Sequence, residues 1–272
     1  MNKFTTTSDV TAERIFKYLG EGKRFDGRTP TQFRDLEIEF GVSNKAEGSV
    51  RVRLGKTEVI VGIKMDVSAP YPDSPNKGNL MVTAEMLPLS SPRFEAGPPK
   101  FDAIELGRVT DRGLRESGFI QFDKLCIVEG EKVWTVFVDV YSINDDGNLI
   151  DAAAIGAVAA LKIAKIPKYN EETGKVIYGE SFGELLPLAE KMPISVSAYK
   201  LGEHLVFDPT REEEDLASSR VTMSFSGEII SSLQKSGSAP FEIDKMKEVF
   251  EVAEKTSVDV LASLVKELNK KV

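Results

Sequence analysis

The chain has 272 residues, 41% of them hydrophobic and 29% charged, with a net charge of −8 and a pI near 5.0. That length holds one large domain or two closely packed halves around a full hydrophobic core, and no apolar run approaches the roughly 20 residues that span a bilayer. One cysteine, Cys126, excludes an internal disulfide and, with one histidine, His204, cannot build a Cys/His zinc site; the acidic balance disfavours autonomous nucleic-acid binding but not a share in a common binding surface. A cytoplasmic chain without metal, cofactor or membrane segment is expected, since residues 1–6 lack the apolar core of a secretory signal.

In chain order, residues 8–19 read as a helix with Val10, Ile15, Phe16 and Leu19 on its apolar side. Asp26-Gly27-Arg28-Thr29-Pro30 breaks regularity. Leu36, Ile38 and Phe40 alternate with Glu37 and Glu39, the period of a half-buried strand. Residues 49–54 and 58–65 follow as strands joined around Gly55-Lys56, and residues 68–75, with three prolines in eight positions, are loop. A second proline-rich loop, 88–99, leads into a helix carrying Arg108, Arg112 and Arg115.

Residues 133–141 read as a strand, and 152–161 as a helix of small residues with Pro167 ending helical structure. The polar, glycine-bearing stretch 168–187 is a long excursion. Strands 194–199 and 204–208 pair across Lys200-Leu201-Gly202-Glu203, and 221–225 pairs with 228–232 around Ser226-Gly227. Ile243, Met246, Phe250, Ala253, Leu261, Leu264, Val265 and Leu268 keep helical spacing over 243–269, a helix expected to pack on a sheet. Strands, helix, strands, helix define an α+β fold of two sheet-plus-helix halves, with no flexible linker between them.

Three stretches bear on chemistry. Between the strand at 133–141 and the small-residue helix, Asp145-Asp146-Gly147-Asn148-Leu149-Ile150-Asp151 has the strand–turn–helix form that presents N–H groups to a phosphate. It supplies Leu149, Ile150 and a repelling Asp151 where a hydroxyl and a cation are needed. Arg108, Arg112 and Arg115 fall at i, i+4 and i+7, within a narrow sector of one helix. From spacing alone this favours a solvated face with Asp111–Arg115 and Arg112–Glu116 pairs, each worth about 0.3–0.5 kcal/mol. Arg93, between Pro92 and Phe94, either meets single-stranded RNA by charge and stacking or is an exposed loop residue. Asp208 with Glu212, Glu213, Glu214 and Asp215 reads as a strand-end aspartate and a solvated acidic loop, not a metal site. Cys126 reads as core, and His204 as a strand residue with a structural partner.

Four phrases carry a family resemblance. Lys23-Arg24-Phe25-Asp26-Gly27-Arg28 resembles an Arg-x-Asp-Gly-Arg opening, and Lys45-Ala46-Glu47-Gly48-Ser49-Val50-Arg51-Val52 an early strand motif. Val82-Thr83-Ala84-Glu85-Met86-Leu87-Pro88-Leu89 and Glu105-Leu106-Gly107-Arg108-Val109-Thr110-Asp111-Arg112-Gly113-Leu114-Arg115 follow in order. Together they resemble the ribonuclease PH family over nearly the whole chain. The insertion at 68–79 and Val206-Phe207-Asp208-Pro209-Thr210 are similar to the non-catalytic ring subunit type of the archaeal exosome core.

The resemblance implies a ribonuclease PH-like fold over 1–272, with pseudo-related halves at about 20–165 and 190–272 in one domain. It implies a subunit without catalytic residues, alternating with a catalytic paralogue in a hexameric ring that also carries an RNA-binding cap subunit. Such a subunit structures its partner's active site and adds RNA-binding surface for phosphorolytic 3′-to-5′ degradation, through Arg108, Arg112 and Arg115, with Arg93 in the preceding loop. Catalytic members are implied to carry a Gly-Thr/Ser-Arg turn where Leu149 and Ile150 stand, an arginine at Asp102 and an aspartate at Gly202. Two alternatives remain: an active phosphorolytic exoribonuclease using residues around Asp208, or a purely structural ring subunit without RNA contacts.

Overall fold

The structure, a computed structural model, describes residues 7–270, so the reading of residues 1–6 lies outside the described residues. Ser8 caps α1 (Asp9–Gly20), its hydroxyl accepting from the Thr11 N–H at 3.2 Å. Ile15 and Leu19 pack on Tyr199, Leu201 and Val206. Val10 and Phe16 are 68% and 38% exposed, which corrects the wider apolar side expected for this helix. Only a narrow stripe meets the fold because α1 rests on the small cluster outside the main core.

The first sheet has the order β1 (Leu36–Phe40), β2 (Gly48–Leu54), β3 (Thr57–Ser68), β6 (Lys132–Asn144), β4 (Asn79–Met86), with β5 (Cys126–Val128) also on β6. All its pairs are antiparallel except β4 with β6. The parallel strand β4 is absent from the sequence expectation; Asn79, Thr83 and Glu85 interrupt its apolar positions. Cys126 is only half-buried at the start of β5, not a core residue.

The second sheet, β10 (His204–Phe207), β9 (Ile194–Leu201), β11 (Ser219–Ser226), β12 (Ile229–Gly237), holds both expected hairpins. Between the sheets lies α3 (Leu149–Ile163), buried from Leu149 to Leu161. Its small residues let backbones approach: a Cβ on Gly156 would stand 2.7 Å from Val61 Cγ2. One core runs from Val61 and Val138 through Ile155 to Val196, Met223 and Leu264, so no seam of solvent separates the sheets.

Two expectations change between residues 163 and 187. Helix α3 stops at Ile163, before Pro167, which lies inside β7 (Lys165–Asn170). The excursion is a two-stranded arm of β7 and β8 (Lys175–Leu185). Proline is tolerated there because a two-stranded ribbon leaves an edge whose N–H needs no partner, and the register shifts at Pro167. Helix α5 (Ile243–Asn269) has the expected bounds, but its buried stripe is Val249, Ala253, Thr256, Ser257, Val260, Leu264 and Glu267. Ile243 is 78% exposed. The hydroxyls that widen the stripe bond within the helix, Thr256 to the Val252 carbonyl and Ser257 to that of Glu254, both at 2.7 Å, so their burial leaves no orphan donor.

Candidate functional site

The turn into α3 has the form that could offer N–H groups to a phosphate, and carboxylates of the chain itself occupy two of the N–H groups leading into it. Gly147 (φ 87°) and Asn148 (φ 59°) turn the backbone through the left-handed region. The Asn148 N–H then donates to Glu214 Oε2 at 2.8 Å, and the Gly147 N–H to Asp145 Oδ1 at 3.2 Å. The Asn148 amide donates onward to Asp151 Oδ2 (3.0 Å) and Asp208 Oδ1 (2.9 Å). Leu149 and Ile150 are buried core. Four acidic side chains thus crowd the helix mouth, and a free phosphate approaching it meets two N–H groups already taken by Asp145 and Glu214.

Asp208, fully buried at φ 46°, is the hub behind this mouth. Its carboxylate accepts from Arg28 Nη1 (3.0 Å), the Arg34 N–H (2.7 Å), Arg34 Nε (2.9 Å) and Arg34 Nη2 (2.7 Å). Arg24 pairs with buried Glu213, and Arg211 bridges Asp145 (3.3 Å) and Asp215 (3.0 Å). The expected solvated acidic loop is instead α4 (Arg211–Leu216), closed by a capping box of Thr210 and Glu213. Glu213 and Asp215 are buried there with Arg24 and Arg93 brought from 189 and 122 residues away, distances that local charge patterning does not register, while Arg211 adds a local pair to Asp215 and Glu212 stays exposed.

Arg93 belongs to this lock. Its Nη1 donates to Asp215 Oδ1 at 2.6 Å with the side chain 17% exposed, so it does not present a guanidinium to a ligand, correcting the expectation for that residue. Gly202 lies elsewhere, in the β9–β10 turn at φ 58° beside Phe16. Six residues of extended chain, roughly 20 Å, separate it from Asp208. A carboxylate at Gly202 would not reach the cluster, so its absence says nothing about this mouth. Asp102 is exposed in the first turn of α2 (Phe101–Arg115).

Burial pushes the Asp151 carboxyl up to about 7, against the hydrogen bonds from Ser197 and Asn148 that favour its charged form. Asp145 is likewise raised, first by burial, with Arg211 opposing. An acid raised in the folded state holds its proton there when the unfolded chain has released it. Stability therefore falls as pH rises from about 4 to about 7, by on the order of 4 kcal/mol. Asp151→Asn keeps an acceptor for the Ser197 N–H and is expected to flatten that slope in urea titrations across pH 4–8; an unchanged slope contradicts the assignment.

The arginine helix divides in two. Arg115 Nη2 donates to the Leu80 carbonyl (2.8 Å) and to Asp111 (2.6 Å), turning toward β4. Arg112 takes Gln234 Oε1 on β12 at 3.3 Å instead of the expected Glu116. Arg108 and Arg112 are exposed and flank a groove of about 190 Å³ between α2 and β12. Arg108 has no ion pair among the described residues. Sequence reasoning located this helix and the turn holding Asn148, read Glu214 as a solvated acid, and missed Arg34 and Arg211. The signal that finds part of that set is compositional: three arginines at 24, 28 and 34 against the acids of 208–215.

A mixed sheet, a second antiparallel sheet and a central small-residue helix define an α+β protein of ribonuclease PH type. The 3′ exoribonuclease family, domain 1, matches residues 32–167, and its domain 2 matches residues 191–256. The chain belongs to this ribonuclease PH family of 3′ exoribonucleases. Within it, the chain is 45% identical over 256 residues to exosome complex component Rrp42 of Thermococcus onnurineus, covering 93% of each. It is 40% identical over 271 residues to that of Methanothermobacter thermautotrophicus, covering 99% of this chain and 98% of the relative. Among solved structures, the Archaeoglobus fulgidus exosome with RNA bound to the active site matches with a TM-score of 0.86 and 40% identity, over 93% of this chain and 97% of that one. An archaeal exosome core matches with a TM-score of 0.82 and 36% identity, over 94% and 96%. Among the described residues no helix is long and apolar enough to cross a membrane, and no cluster of His, Cys, Asp and Glu could hold a metal ion.

Proposed function

We propose that this chain is a non-catalytic ring subunit of an archaeal exosome core. It alternates with a catalytic ribonuclease PH-type paralogue in a hexamer that carries an RNA-binding cap subunit, works in the cytoplasm without a cofactor, and supports phosphorolytic 3′-to-5′ RNA degradation. The observation that carries this reading is Glu214 on the Asn148 N–H: phosphorolysis needs an aligned inorganic phosphate, and this helix mouth is closed to one. The Rrp42 relatives and the RNA-bound exosome structure support the assembly and the RNA path. The continuous core supports the two halves, about 20–165 and 190–272, acting as one domain.

Arg108 and Arg112 are the residues that give RNA its phosphate contacts, with Arg115 contributing what Asp111 leaves free. Guanidinium forks match phosphate oxygens. Replacing all three with glutamate in the assembled ring is expected to weaken RNA binding at least tenfold and to flatten its salt dependence by about 0.7 in log–log slope per lost contact. Turnover at saturating RNA changes less than affinity. Unchanged affinity in an intact mutant ring would assign the stripe to surface pairing and favour a purely structural subunit.

A further inference from the structure

The groove between α2 and β12 carries more than charge. Its α2 wall presents Phe101, 66% exposed, and Ile104, 51% exposed, one turn apart, above the buried Val109. Arg108 and Arg112 continue the same helix face, at seven and eleven positions beyond Phe101. Two large apolar side chains left in water beside two exposed guanidiniums form an unusual pairing for a merely solvated helix face. The acidic neighbour Glu105 is neutralised by Arg220 at 2.9 Å, so the groove keeps a positive rim.

We propose that this groove is a nucleobase subsite, in which one base of single-stranded RNA stacks on Phe101 against Ile104 while Arg108 and Arg112 hold the flanking phosphates. The proposal rests on the reading that these arginines border the RNA path, and adds the base-face contact to it. At about 190 Å³ the groove is smaller than the roughly 300–1,000 Å³ of pockets that enclose a drug-sized ligand, and suits one flat ring. Charge complementarity selects a polyanion, and the apolar wall selects one that carries flat rings. The apolar wall of the subsite meets chiefly the face of the base. The Gln234 oxygen is taken by Arg112 and one of its two N–H groups by the Lys235 carbonyl, each at 3.3 Å. Stacking of this kind tolerates every base.

The test uses the assembled ring and two probes of equal length, an oligoribonucleotide and the corresponding ribose-phosphate oligomer lacking bases. Phe101→Ala is expected to weaken the oligoribonucleotide about fivefold or more and to leave the abasic oligomer unchanged, while Phe101→Trp retains affinity. The expected loss is the same for oligoadenylate and oligouridylate. Arg108→Glu with Arg112→Glu weakens both probes, which reports on the phosphate reading separately. Equal effects of Phe101→Ala on both probes, or none on either, overturn the base subsite even if the arginine variant behaves as expected. Dissociation of the ring by Phe101→Ala would also overturn it, by assigning the apolar pair to a neighbouring subunit.

Discussion

Asp208→Ala lowers the unfolding free energy by about 3–5 kcal/mol, because it takes from the buried Arg28 and Arg34 the one fully buried carboxylate they share. The fully buried carboxylate receives Arg28, three donors of Arg34 and the Asn148 amide. Deleting it leaves Arg28 with only the partly exposed Asp26 at 2.7 Å and Arg34 with only Asp146 at 3.4 Å as carboxylate partners, whereas a surface pair of the same residues would matter by less than about 1 kcal/mol. Part of the loss is backbone strain, since φ 46° at a non-glycine residue costs roughly 1–2 kcal/mol and aspartate is among the few side chains that tolerate it. Asp208→Asn, which keeps that tolerance and an acceptor oxygen, is expected to fall between wild type and alanine. Asp208→Gly relieves the backbone but not the charge, and is expected to recover only that strain, about 1–2 kcal/mol relative to alanine. Urea unfolding of the four proteins decides the ranking; a loss below about 1 kcal/mol for alanine would mean that Asp208 is no hub.

Gly147→Ala is the second substitution with a large expected effect. Its Cβ would stand 2.5 Å from the Pro209 carbonyl oxygen, 2.6 Å from Thr210 C and 2.8 Å from the Arg211 nitrogen. All three are backbone atoms, so no rotamer change relieves the clash, and φ 87° adds left-handed strain. Together these cost about 2–5 kcal/mol. The direction of relief is α4 moving away from α3, which separates Glu214 from the Asn148 N–H. Faster hydrogen exchange at Asn148 is therefore expected in the mutant. Gly130→Ala is the control: φ is 78° but nothing lies within 4 Å, so only the backbone strain remains. Equal losses at the two glycines would show that the contact with α4 does not constrain the turn.

The legible parts of this fold are those whose signal is local. Alternation at Leu36, Ile38 and Phe40 marks β1, Gly55 and Gly227 mark hairpin turns, and the spacing over Ile243–Asn269 marks α5. Strand β4 escapes because it pairs in parallel with β6, 56 residues later by the register Asn79↔Thr135, and its polar positions hide the alternation. The arm of β7 and β8 escapes because proline and glycine are as frequent in loops as in an edge ribbon. At the candidate site, the missing phosphate chemistry at Leu149 and Ile150 is visible in sequence, but the carboxylate that takes the phosphate's place is not. Glu214 is 66 residues from Asn148, and nothing local distinguishes it from a solvated acid. Arg93 fails for the same reason: its partner Asp215 is brought to it by tertiary folding. That Arg108 and Arg112 share one exposed helix face is legible because helical spacing alone sets it.

The measurement that bears most directly on this account is nucleoside diphosphate release from RNA in inorganic phosphate, made with this chain alone, with a catalytic ribonuclease PH-type paralogue alone, and with the two assembled. The account predicts no release by this chain and greater release by the assembly than by the paralogue, because the helix mouth of α3 is closed by Glu214 while Arg108 and Arg112 remain open to RNA. Release by this chain alone that persists through repurification would contradict it.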